Sequence, residues 1–139
     1  MFMDHCIYCK IIKGELPSYT IYEDDNFKAI LDIFPSSLGH TLIIPKHHYQ
    51  GLFDLGEKES KEIINFSKKI AGVLKEVLGC DGMNILQNNG QAAGQTVFHY
   101  HMHLIPRYEN DTINMGWKPL EPTQEELKLT LDKIKGAIK

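Results

Sequence analysis

Three histidines stand at every second position in the segment GQTVFHYHMHLIPR, residues 94–107: His99, His101 and His103. Imidazole can ligate a metal, carry a proton or attack an electrophile near neutral pH. Alternate residues of an extended chain share one face. The intervening Val97, Phe98, Tyr100, Met102, Leu104 and Ile105 are β-branched, aromatic or apolar, which predicts a strand. On such a strand His99 and His103 lie four steps of ~3.3 Å apart, about 13 Å in all. Metal–nitrogen bonds are only ~2.0–2.1 Å long. One ion therefore does not serve all three rings, and the row divides into at least two roles. The glycine-rich stretch just before it supplies further polar groups: Asn88, Asn89, Gln95 and Thr96.

A second constellation opens the chain, where Cys6 and Cys9 form Cys-x-x-Cys. A redox pair of this kind normally sits between a strand and a long helix, which the position does not suit. A zinc site needs two more nitrogen or sulfur ligands, and His5, His47, His48, His99 and Cys80 are the candidates. Cys80, alone after a helix, reads as a small buried residue. No basic, then apolar, leader precedes these cysteines, so the thiols are expected to be reduced and the protein cytoplasmic.

Elements must position these groups. Residues 20–33 read as two short strands, TIYEDD and FKAILDI, around the turn Asp24-Asp25-Asn26, and residues 40–44 as a third strand stopped by Pro45. From Glu57 to Leu78 the apolar Ile63, Phe66, Ile70, Val73, Leu74 and Val77 recur three or four apart, one face of a helix ended by Gly79. A strand over MNILQNN precedes the glycine-rich loop. A last helix starts at Thr123 with Glu126 completing a capping box, and aligns Leu127, Leu131, Ile134 and Ile138. The expected fold is α+β: an antiparallel sheet of about five strands with two main helices, one domain over residues 1–139.

Composition narrows the partners. The 139 residues are 42% hydrophobic and 24% charged, with a net charge of −3. That balance argues against broad attraction to nucleic acid or an anionic membrane surface. No window approaches the ~18 apolar residues of a membrane span. The EKESKE run, residues 57–62, reads as a solvated helix start.

The segment HYHMHLI, with apolar or aromatic residues between its histidines, resembles the signature of the histidine triad superfamily of nucleotide hydrolases and transferases. The segments CIYCKIIKGELPSYTIYEDD, AILDI, GHTLIIPKHH and NNGQAAGQTVFHYHMHLIPR extend the likeness over residues 6–107. With His103 as third triad member, the chain is similar to the branch of histidine triad nucleotide-binding proteins and related hydrolases.

That resemblance implies His101 as nucleophile on the α-phosphorus, its other ring nitrogen held by a backbone carbonyl of the neighbouring GHT segment. It implies His103 and His40 as donors to phosphate oxygens, Thr96 near the leaving group, and Asn88, Gly94 and Gln95 on the phosphate side. It also implies Asp32 on the ribose hydroxyls, and Ile7, Tyr8, Ile11, Leu16, Ile30 and Ile33 around a purine base. Zinc on Cys6, Cys9, His48 and His99 is implied as a structural ion, His48 being preferred to His47 by the Ile-Pro-Lys-x-His pattern. No organic cofactor is implied. A homodimer is, with Trp117 either acting across its interface or simply packing.

The activity expected is hydrolysis of purine nucleoside 5′-phosphoramidates through a nucleotidyl-histidine. The alternatives are dinucleoside polyphosphate hydrolysis and a nucleotide-binding scaffold with incidental turnover. A catalytic zinc enzyme is disfavoured because His99 is used in a closed site and no carboxylate base stands nearby.

Overall fold

The computed structural model describes residues 3–139. Strands β1 (Thr20–Glu23) and β2 (Phe27–Leu31) form a hairpin. The Asp24 carboxylate closes its turn by accepting the N–H groups of Asn26 and Phe27, both at 2.8 Å. Strands β3 (Thr41–Pro45), β4 (Gly82–Leu86) and β5 (Met102–Arg107) complete a sheet of order β1-β2-β3-β5-β4, antiparallel at every pairing. A short helix α1 (Ile7–Ile12) precedes the sheet, α2 (Glu57–Leu78) crosses it, and α3 (Gln124–Ala137) ends the chain. The architecture is α+β as expected, with α1 as an additional short helix.

Strands β2 and β3 are buried on both faces, which is why they read as nearly continuous apolar runs. On one face Phe27, Ala29, Ile43, Met102 and Leu104 meet Ile63, Phe66, Ile70 and Leu74 of α2. On the other, Ile30, Leu42 and Ile44 meet Tyr8 and Ile11 of α1. Each such side chain contributes about 1.5–3 kcal/mol by leaving water, so α1 is held mainly by two or three of them. Val73 and Val77, expected on the buried stripe of α2, are exposed instead. Gly79 stops α2 at φ +63°, as its position predicts.

The larger departure concerns the histidines. Strand β5 begins only at Met102, and residues 97–101 bend away from the ladder. Pairing with β3 ends at Ile43↔Met102. Beyond it, the Tyr100 N–H donates to the Tyr49 carbonyl at 2.6 Å, and the Pro45 carbonyl takes the His99 ring at 2.8 Å. The backbone groups that would have continued the strand are spent elsewhere. The 13 Å spacing expected for an extended row therefore does not apply.

The capping box of α3 is present: the Thr123 hydroxyl accepts the Glu126 N–H, and the Glu126 carboxylate accepts the Thr123 N–H. The apolar stripe of Leu127, Leu131, Ile134 and Ile138 is also present, but none of it is buried against this chain.

Candidate active site and metal centre

Near the start of β5 the structure encloses a cavity of about 440 Å³. His40, His101 and His103 line it together with Asp32, Asn88, Gly94 and Thr96. Ile7, Tyr8, Ile11, Ile30 and Ile33 form apolar walls. Two expected members stand elsewhere. Leu16 lies outside the lining; Pro17 and Ser18 take that stretch of wall. Gln95 is buried, and its amide is fully engaged. It accepts the Gly90 N–H at 2.8 Å and donates to the carbonyls of Gln50 at 2.8 Å and Val97 at 3.1 Å. Gln95 therefore ties down the glycine-rich loop rather than facing the cavity. Gly94, at φ +91°, caps the short 3₁₀ turn Gln91–Ala93, a conformation other residues adopt poorly. That brings its backbone to the cavity beside Asn88.

The hydrogen-bond partners of the rings fix where each proton sits. His99 donates from Nε2 to the Pro45 carbonyl, leaving the Nδ1 lone pair free. His101 donates from Nδ1 to the carbonyl of His99 at 2.7 Å, leaving the Nε2 lone pair free. This acceptor differs from the expected one in the GHT segment: the bend at residues 97–101 turns the His99 carbonyl onto the ring two residues later. Tyr8 packs edge-on against His101, ring centres 5.1 Å apart.

His40 receives the backbone N–H of Ser36 on Nδ1 at 3.0 Å, which places its own proton on Nε2. That nitrogen faces His103 Nδ1 at 2.8 Å and Asp32 Oδ2 at 3.5 Å. His103 thus accepts on Nδ1 and keeps its proton on Nε2. His40 was expected to donate to phosphate; the structure directs its donor to His103 instead. Ser36 is a contributor that sequence reading missed, because it acts through a main-chain N–H. Just before His40, Gly39 makes the turn at φ +93°, where a Cβ would collide with Leu78 Cδ1.

Burial keeps these rings neutral. It pushes His103 down to about 4, helped by the like charges His101 and His40 would carry, and lowers His40 and His101 as well. His99 is likewise pushed down to about 4. Burial, reinforced by Asp32, raises the Tyr8 phenol to about 12. Asp32 spends Oδ1 on the Phe34 N–H at 2.9 Å and retains acceptor capacity for a ligand.

The second constellation assembles at the foot of the bend. Cys6 caps α1 and Cys9 lies one turn on, so both thiols meet His48 and His99. Cys6 Sγ stands 3.3 Å, Cys9 Sγ 3.5 Å and His48 Nδ1 3.1 Å from His99 Nδ1, and Cys9 Sγ stands 3.4 Å from His48 Nδ1. Around a tetrahedral ion with bonds of ~2.0–2.3 Å, ligand atoms lie about 3.3–3.8 Å apart. The four residues therefore fit a Cys₂His₂ ion with little movement, and the Pro45 carbonyl already holds His99 in the ligating tautomer. Asp32, His40 and His103 also cluster at ligand-like spacing. The proton that Ser36 fixes on His40 Nε2 makes that trio a hydrogen-bonded chain rather than a cation site.

Sequence reading also missed Arg107, whose guanidinium grips Asp111 through two bonds of 2.8 and 2.9 Å and Asn84 through one of 2.7 Å. This fork ties β5 to β4 and to the segment after it.

A family model described as the HIT domain matches residues 13–110. Among curated proteins, the chain is 46% identical over 133 residues to a HIT-like protein of Methanocaldococcus jannaschii, covering 94% of this chain and 99% of that one. It is 37% identical over 135 residues to an adenosine 5′-monophosphoramidase of Schizosaccharomyces pombe, covering 96% and 98%. Among solved structures, a HIT family protein of Bacillus anthracis superposes with TM-score 0.89 at 45% identity, over 98% of this chain and 99% of that one. A zinc-bound histidine triad family protein of Mycobacterium smegmatis superposes with TM-score 0.76 at 39% identity, over 96% and 98%.

Proposed function

The chain belongs to the HIT-domain family, and we propose that it hydrolyses purine nucleoside 5′-phosphoramidates through a nucleotidyl intermediate on His101. The observation that carries this reading is the His101 Nδ1–His99 carbonyl bond, which leaves an unprotonated Nε2 on a ring lining a nucleotide-sized cavity. Relatives named as a monophosphoramidase and an adenylylsulfatase support a hydrolase.

In the first step His101 Nε2 forms a bond to the α-phosphorus while the P–N bond of the substrate breaks. The amine departs with the bonding pair and takes up a proton from solvent. Water then adds to the phosphorus, the P–Nε2 pair returns to His101, and the nucleoside monophosphate leaves with one proton released. The Nε2–H of His103 and the backbone of Gly94 meet the charge on the phosphoryl oxygens, and His40 holds His103 in the donating tautomer. Asn88 and Thr96 flank the phosphate, Asp32 takes the ribose hydroxyls, and Ile7, Tyr8, Ile11, Ile30 and Ile33 enclose the base.

Cys6, Cys9, His48 and His99 hold a structural zinc ion in this reading. An ion held by these four side chains would tether α1 to the bend that presents His101. The protein acts as a homodimer in the cytoplasm, a partner copy covering apolar surface such as the α3 stripe. Among the described residues no helix is long and apolar enough to cross a membrane.

The test is chemical. Acid-quenched turnover should trap an added nucleotidyl group on His101, visible by mass spectrometry. His101→Ala should lower turnover by several orders of magnitude while nucleotide affinity changes about tenfold, ~1.4 kcal/mol. Near wild-type hydrolysis by His101→Ala would refute covalent catalysis.

A further inference from the structure

Tyr8 stands on α1 among the apolar walls of the cavity, yet it carries a hydroxyl. Its neighbours in that lining, Ile7, Ile11, Pro17, Ile30, Ile33 and Leu42, present only carbon side chains. The Ser18 hydroxyl, also in the lining, is already paired with Thr20 Oγ1 at 2.9 Å. Tyr8 is nine-tenths buried, with 9% of its surface exposed. Among the described residues its hydroxyl has no hydrogen-bond partner. No sealed side-chain nitrogen or oxygen among them is left unbonded, so this hydroxyl opens onto the cavity that the residue lines.

We propose that the Tyr8 hydroxyl donates to N3, the ring acceptor at the sugar edge of a purine, so that Tyr8 reads the base as well as walling it. The proposal rests on the nucleotide reading of this cavity and deepens it.

Cost is the first argument. A largely buried phenol without a partner forgoes the hydrogen bond that water gives it in the unfolded chain. Its ring packs edge-on against His101 and His99, with 5.1 and 5.9 Å between centres, and among Ile30, Leu42 and Ile44. A phenylalanine would make the same contacts. The oxygen is therefore not needed for packing, and its open side faces the cavity.

Position is the second argument. Burial pushes the phenol up to about 12, and Asp32 stands near enough to add to the shift, so the group keeps its proton and remains a donor. Ionised Asp32 only accepts, which suits the O–H groups of a ribose. Tyr8 supplies the complementary donor beside it, backed by the base walls. A nucleoside bound with its ribose on Asp32 brings the sugar edge of its base to the same corner. On a purine that edge carries N3, a ring nitrogen with a lone pair and no proton. Apolar pockets fix the orientation of a ligand with a few polar groups of this kind. Enclosed by isoleucines without a donor, N3 would lose the bond it makes to water.

The experiment is calorimetric titration of adenosine 5′-monophosphate, its 3-deaza analogue and its 7-deaza analogue into the full-length protein and into Tyr8→Phe. The monophosphate is the product of the proposed reaction, so no turnover intervenes. Tyr8→Phe should weaken the parent nucleotide and the 7-deaza analogue about three- to tenfold, the range of one hydrogen bond. Wild type should lose a similar factor on the 3-deaza analogue, which carries C–H in place of N3, and Tyr8→Phe should lose nothing further on it. Equal affinity of the wild type for the parent and the 3-deaza analogue would overturn the proposal, whatever the variant does. So would full affinity of Tyr8→Phe for the parent, or an equal loss by the variant on parent and 3-deaza analogue, which would place the hydroxyl on another atom. Failure of the wild type to bind the monophosphate refutes the nucleotide reading itself, and this contact falls with it. Binding without dependence on Tyr8 or N3 removes the contact alone.

Discussion

His40 offers the sharpest test of how the site is organised, because its role has moved from touching phosphate to setting another ring's proton. Its Nδ1 accepts the Ser36 N–H at 3.0 Å and its Nε2–H donates to His103 Nδ1 at 2.8 Å. His40→Leu keeps the bulk but leaves His103 Nδ1 without a donor. An unsatisfied buried acceptor costs about 1–3 kcal/mol, and His103 avoids that cost by moving its proton to Nδ1 in part of the population. At ~1.4 kcal/mol per factor of ten, kcat should fall about 5- to 150-fold. His40→Gln can accept from Ser36 with its amide oxygen and donate to His103 with its nitrogen, so it should restore kcat to within severalfold of wild type. The assay is steady-state hydrolysis of adenosine phosphoramidate, with ring tautomers read by ¹⁵N NMR of the nucleotide-free protein. Wild type and His40→Gln should show His103 protonated on Nε2, and His40→Leu a mixture. The reasoning fails if His103 carries its proton on Nδ1 in the wild type. It fails equally if His40→Leu retains full kcat, or if Gln is no better than Leu.

Three further outcomes are expected. Elemental analysis of protein purified without chelator should find one zinc per chain. Stripping it should cost several kcal/mol, about 10 °C of melting temperature at this chain length; an unchanged Tm in metal-free protein would remove the structural ion. Sedimentation at micromolar concentration should give a dimer, and a mass near 15.9 kDa would contradict it. The pH dependence has a definite sign: His103 is pushed down to about 4 in the folded protein and His40 is also lowered, against ~6.5 when unfolded. Between those values the unfolded chain binds more protons, so their contribution is complete above pH ~6.5 and is lost as pH falls toward 4. Allowing for partial solvent exposure, the loss from these two rings should be on the order of 1–2 kcal/mol, seen as a lower urea midpoint at constant m-value and reduced in a His40→Gln/His103→Gln variant, where His99 and His101 still contribute.

Periodic and capped elements were legible in the sequence for physical reasons that the structure repeats. The bounds Glu57 and Leu78 follow from a 3.6-residue stripe and a glycine able to reach φ +63°. Thr123 and Glu126 cap α3 using only local atoms. The histidine row was misread because alternation reports side-chain parity and not where backbone groups are spent. Nothing in the letters says that the carbonyls of Tyr49 and Pro45 are claimed by Tyr100 and the His99 ring. The ligand set Cys6, Cys9, His48 and His99 came together through the family pattern; composition alone left five candidates for its last two places. Ser36 was invisible for a simpler reason, since any residue but proline carries the N–H it uses.

The bend that ended the expected strand is also what divides labour among the three histidines. On an extended strand His99, His101 and His103 would present equivalent rings to one face, each free to choose its tautomer. Starting the ladder only at Met102 releases two carbonyls toward ring nitrogens: Pro45 holds His99 with Nδ1 free beside the cysteines, and His99 holds His101 with Nε2 free beside the cavity. The third ring stays on the strand and is set from β3 through His40. A substitution that straightens residues 97–101 would therefore disturb the proposed metal set and the proposed nucleophile together. Gln95 is the place to see this, since its amide bonds Gly90, Gln50 and Val97 at once. Gln95→Leu touches neither the nucleotide cavity lining nor the four thiol and imidazole groups. It should nonetheless lower zinc retention under chelator and kcat in parallel, by about tenfold if two of those bonds, ~0.5–1.5 kcal/mol each, act through the bend. Loss of one without the other would show that the metal set and the nucleophile are positioned independently.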